Sequence, residues 1–117
     1  MDELIERLIA ETGLDRATAE KAVGIIFEFL LKEGPANKTR QLLVMLPGAD
    51  ALVARVAGTG GGMGGIMGAG MRMMSAGLSM DQAQRVAKAV LAFTREKAGV
   101  EAVGEVLAAI PGLAQFV

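Results

Sequence analysis

The stretch DRATAEKAVGIIFEFLLKEG, residues 15–34, decides the fold. Asp15 is a short acceptor suited to cap a helix, and no breaker follows until Gly34-Pro35. Between them, from Ala22 to Leu31, the only charged residue is Glu28. A second stretch, SMDQAQRVAKAVLAFTREKAG over residues 79–99, follows the same plan. Ser79 and Gln82 have the spacing of a capping box. Ala83, Val86, Val90 and Phe93 mark its apolar face, and Asp81, Arg85, Lys88 and Arg95 its polar one. Asp81 stands four residues before Arg85, the favourable order for an ion pair on a helix.

Displacing the sequence by 64 sets residues 1–53 over 65–117 without a gap. Gly13 then coincides with Gly77, Leu14 with Leu78, Ala19 with Ala83, Phe29 with Phe93, Leu43 with Leu107, Pro47 with Pro111, Gly48 with Gly112 and Val53 with Val117. The order of these marks predicts a duplicated helical unit. In the first unit, Leu4, Ile5, Leu8 and Ile9 make one face of a helix over 2–11, which Gly13 stops. The long helix follows, then a helix with Leu42, Leu43 and Leu46 ending at Pro47-Gly48, then a short one over 49–56. In the second unit Gly99 separates the long helix from one over 100–109, ended by Pro111-Gly112. No segment alternates with period two. The expectation is one all-α domain over 1–117, a small bundle of a first unit (1–53), a Gly-rich linker (54–64) and a second unit (65–117).

Composition removes several chemistries. The 117 residues include no Cys, His, Trp or Tyr, which excludes disulfides, thiolate or imidazole metal sites and a histidine proton shuttle. Twelve Lys and Arg against thirteen Asp and Glu give a net charge of −1, with no basic stripe for nucleic acid. No Gly-Lys-Ser/Thr follows the glycine run, so it is not a phosphate loop. Asp15 and Asp50 read as helix caps, and the other acids lie on polar faces. The expectation is a protein without catalytic, metal or cofactor sites. The acidic, amphipathic start is unlike a secretory signal and points to the cytoplasm. The longest uncharged run, Val56 to Met71, is sixteen residues and half Gly, short for a spanning helix.

The two units differ at instructive places. Where the second shows Lys88 and Arg95, the first has Gly24 and Leu31, with Phe27 between them on the same face. A helix apolar nearly all round must be covered on more than one side. Either the N-terminal helix lies over the Gly24-Phe27-Leu31 stripe, or the stripe is a contact for a second copy or a protein partner. Exchange of the N-terminal helix between chains would satisfy both.

Residues 58–77 carry five of the eight methionines in a glycine-rich context. The first reading is a flexible linker, because each Gly costs a helix about 1 kcal/mol against Ala. Gly60, Gly64 and Gly68 have small-xxx-small spacing, which arises by chance in so glycine-rich a tract. Met63, Met67, Met71 and Met74 would share one face of a helix. Thioethers suit Cu(I), but without His or Cys a structural or interaction stripe is the better reading. Met and Gly together also make an adaptable apolar surface for partners or lipid. Only Arg55 and Arg72 flank it as basic anchors for a membrane surface.

The set Gly13-Leu14, Phe29, Leu46-Pro47-Gly48, Gly77-Leu78, Phe93 and Ile110-Pro111-Gly112 resembles a family of small bacterial helical proteins of unknown function. These pair a long helix with a shorter one ending in Leu-Pro, twice, around a Gly-rich centre. The resemblance implies an all-helical fold and bacterial origin, and it carries no functional residue. The function expected is therefore self-association or partner binding, with lipid or apolar-ligand binding through the Gly/Met segment as the alternative. Gly24, Phe27, Leu31, Met63, Met67, Met71 and Met74 are the candidate interaction residues.

Overall fold

Helix caps set the element boundaries. In a computed structural model, which describes residues 1–56 and 65–110, every described element is a helix. Asp2 and Glu3 suit the positive end of α1 (Asp2–Thr12), and Gly13 ends it in the left-handed region at φ 75°, donating to the Ile9 carbonyl. Asp15 opens α2 (Arg16–Glu33) by accepting from the Thr18 amide at 2.9 Å. Hydrogen bonding from the Thr18 side chain, and then from this amide, holds the Asp15 carboxyl below the usual carboxylate range. After Gly34 and Pro35 comes α3 (Ala36–Val44).

The chain then departs from expectation. α3 stops at Val44, before Pro47, through a tightened turn in which Met45 donates to the Leu42 carbonyl and Leu46 to the Leu43 carbonyl. Asp50 is not a cap. It lies inside α4 (Ala49–Val56), where its carboxylate accepts from the neighbouring Ala51 amide. Because α4 runs to Val56, the expected linker at 54–64 begins inside a helix, and 57–64 lies outside the described residues. α5 (Gly65–Ser75) leads to α6 (Met80–Ala98), whose Ser79–Gln82 capping box has both of its hydrogen bonds. Gly99 separates α6 from α7 (Val100–Ala108).

α2 is the central helix, with α1, α3, α4, α5 and α6 around it. α6 packs on α1, α2, α5 and α7, and α3 packs on α7. Exchanging α1, α2 and α3 for α5, α6 and α7 returns the same neighbours: α1 on α6 becomes α5 on α2, and α1 on α2 becomes α5 on α6. α4 has no described counterpart, since 111–117 lies outside the described residues.

At Gly24 the stripe expected on α2 is covered, but by a different helix. A Cβ at Gly24 would meet the Leu52 carbonyl oxygen at 2.5 Å and Val56 Cγ1 at 3.2 Å, so α4 crosses α2 there with its backbone nearly in contact. The atoms nearest that position all belong to α4, not to the N-terminal helix. Phe27, one turn on, is fully buried. Close approach, rather than exposure, is what required glycine at 24.

This crossing separates two glycine substitutions. Gly24→Ala gains about 1 kcal/mol of helix propensity but must push the Leu52 backbone away, and a net loss of about 2 kcal/mol is expected. Gly104→Ala, at an exposed site in α7 with nothing within 4 Å, should stabilise by about 0.5–1 kcal/mol. Urea unfolding followed by far-ultraviolet circular dichroism decides it. Equal effects of the two changes would remove the close-crossing account.

Candidate functional site

α5 is a glycine- and methionine-rich helix held in place by one arginine. Its buried residues are Gly68 and Met73. From α5, Arg72 reaches Glu28 on α2 through Nη1, and its Nη2 donates to the Val56 carbonyl at 3.0 Å, at the end of α4. The Glu28 and Arg72 side chains are only 8% and 17% exposed. Lys32 adds a second cation 3.4 Å from Glu28. One guanidinium therefore joins three helices. Sequence reading missed this link, although its signal was present: one acid in an apolar helix and one base in an apolar tract.

With Arg72 and Met73 turned inward, Met67, Met71 and Met74 share the outer face of α5. These three and Met80, at the start of α6, are 50 to 68% exposed. They rim a groove of about 250 Å³ between α5 and α6. Ile26, Phe29 and Leu30 of α2 line it, together with Ile66 and Gly70 of α5 and Ala83, Ala87 and Leu91 of α6. Gln84 is the one polar side chain in the lining. The groove offers apolar contact, soft sulfur and a single amide, which suits binding of hydrocarbon rather than bond chemistry.

The corresponding positions of α1 carry charge instead. At the positions of Met67, Gly70 and Met71, α1 carries Glu3, Glu6 and Arg7. Arg7 donates to Glu96 of α6 at 2.9 and 3.1 Å and to Glu3 at 3.1 Å. Its guanidinium lies 5.5 Å from the centre of the Phe93 ring, with Lys97 at 5.4 Å. The hydrogen bond between them raises the Arg7 pKa and holds the Glu96 carboxyl below its ordinary range. Arg7 thus ties α1 to α6 by charge at the position where α5 turns Met71 to the groove.

The candidate residues fall in separate places. Gly24 and Phe27 are interior, so as folded they offer no surface to a partner. Leu31 is partly buried and lines another cleft, with Leu43, Leu46 and Val53 among its walls. Met67, Met71 and Met74 come together at the groove, and Met63 lies outside the described residues. Among the described residues no three or more acids gather as a metal site. No family model, curated protein or solved structure matches the chain.

Arg72→Met leaves Glu28 buried with Lys32 as its ion-pair partner, and a loss of about 3 kcal/mol is expected. Replacing both charges, as Glu28→Met with Arg72→Met, should recover most of that loss, because neither charge is then left in the interior. Urea midpoints of the single and double variants test this. A double variant as unstable as the single would show that Glu28 is not what Arg72 serves.

Proposed function

We propose that this protein is a non-catalytic binding module whose groove between α5 and α6 takes an apolar ligand. The observation that carries the reading is the open, hydrocarbon-lined groove, walled by Met67, Gly70 and Met71 where the equivalent positions of α1 carry Glu3, Glu6 and Arg7. The lining holds thioethers and one amide, with no acid, base or nucleophile of ordinary catalytic kind. Unbranched methionines around the rim can adapt to ligands of different shape. The matching boundaries and neighbours of the two helix triplets support a duplicated unit, in which one copy of the first helix has become a binding wall. No described helix is long and apolar enough to cross a membrane, and the cytoplasm is the location we propose.

Self-association is the second reading. It is favoured by the same four exposed methionines, which a second copy would bury.

Titration with the neutral fluorophore N-phenyl-1-naphthylamine tests the first reading, and its signal is clean because the chain lacks Trp and Tyr. Saturable binding is expected, weakened about tenfold or more when Met67, Met71 and Met74 are all changed to Gln, with helicity unchanged. Binding that ignores these changes would move the site elsewhere. Light scattering with refractive-index detection addresses the second reading: a dimer lost on the triple substitution would identify the groove as a homotypic interface.

A further inference from the structure

The charges beside the groove say what kind of ligand it fits. Neither the groove lining nor any part of α5 carries a carboxylate. On α6, Gln84 and Leu91 line the groove, and Lys88 falls between them on the same stripe, four residues after one and three before the other. Arg95 continues that stripe one turn further. The two acids of α6 are committed elsewhere, Asp81 to Arg85 at 3.0 Å and Glu96 to Arg7. Among the described residues Lys88 and Arg95 have no ion-pair partner. The α6 side of the channel therefore carries two cations with no ion-pair partner among the described residues, against one acid, Glu33, that follows Phe29 and Leu30 at helical spacing on α2.

Size narrows the choice further. The groove, at about 250 Å³, is roomier than the cavity of about 150 Å³ that holds benzene. It falls just below the range of about 300–1,000 Å³ typical of larger ligands. That suits one flexible chain, not the paired chains of a bilayer lipid. A membrane surface is disfavoured too, because the flanking bases are engaged within the fold: Arg55 bonds Glu20 at 2.8 Å and Arg72 bonds Glu28.

We infer that the groove binds a free single-chain carboxylate, a fatty acid, with its tail between α5 and α6 and its head group against Lys88, supported by Arg95. This rests on the apolar-ligand reading above and adds the head group to it. Gly70 fixes the width of the channel. It lines the groove, and a Cβ built there meets nothing within 4 Å, so a large side chain would occupy the ligand's space without disturbing the core.

The test uses the full chain with methionine methyls labelled with carbon-13, titrated below micellar concentrations. The ligands are decanoate, decanol and decyltrimethylammonium, which share a tail and differ in head charge. Decanoate should shift the groove methionine methyls saturably and bind about fivefold tighter than decanol, the factor a partly exposed ion pair supplies. The cationic amphiphile should bind more weakly than decanol. Lys88→Met with Arg95→Met should reduce decanoate to the affinity of decanol while leaving decanol unchanged, and Lys88→Arg should keep the preference. Gly70→Phe should abolish binding of all three with the fold intact. Equal binding of the three head groups, or a preference that survives loss of both cations, overturns the carboxylate inference and leaves the groove reading standing. No shift of the groove methyls with any of the three defeats both. Sedimentation with phosphatidylglycerol vesicles but no binding of monomeric decanoate would replace the fatty acid with a membrane surface.

Discussion

Everything on the α5 side of this protein hangs on the Glu28–Arg72 pair. Taking two charges out of water costs several kcal/mol per ion, recovered only when they meet each other and further partners. Both conditions hold here: Glu28 also receives Lys32, and Arg72 also donates to the Val56 carbonyl at the end of α4. That carbonyl is among the four at a helix C-terminus that have no intrahelical donor. The guanidinium thus meets two needs at once, and in doing so fixes where α5 lies after the chain has left α4. A hydrophobic contact would bury as much surface, but it would not select one rotation of α5. The ion pair does, and with Arg72 turned inward Met67, Met71 and Met74 turn outward.

The comparison of α1 with α5 shows why that orientation matters. Both are 11-residue helices packed on α2 and α6. α1 buries Leu4, Ile5 and Leu8, and it presents charge at its edge. α5 buries less, weakens itself with Gly68 and Gly70, and presents thioethers to water. Each glycine costs about 1 kcal/mol of helix stability relative to alanine, and exposed methionine contributes little to folding. By the logic of stability alone, α5 is the worse helix. Its composition makes sense as a wall whose free face is kept apolar and uncrowded.

Much of the fold could be read from the sequence because caps and breakers act locally. Gly13, Asp15, Gly34, Ser79, Gln82 and Gly99 each set a boundary through bonds to residues four or fewer positions away. The failures share a different cause. Periodicity identifies which face of a helix is apolar but not what covers it. The sequence marks Gly24 as a place needing cover, and that cover is α4, 28 residues beyond it at the Leu52 contact. Arg72 read as a flanking anchor because its partner lies 44 residues away. The candidate site was half legible for the same reason. The shared face of Met67, Met71 and Met74 is a local property of α5, whereas the opposite wall from α6 and the floor from α2 are matters of packing.

A groove built on a weak helix also has a thermodynamic consequence. Local opening is easiest where few apolar contacts and many exposed backbone bonds hold an element, and α5 has only two buried residues besides its ion pair. A ligand laid between α5 and α6 adds apolar contact to both walls, so its binding stabilises this part of the molecule above all others. On the proposed reading, any ordering of α5 would draw on the ligand's own contact energy, which lowers affinity below what contact area alone would give. On the fatty-acid proposal, adaptable surface would recognise the tail and fixed charge the head, with the buried Glu28–Arg72 pair holding α5 in place beside them.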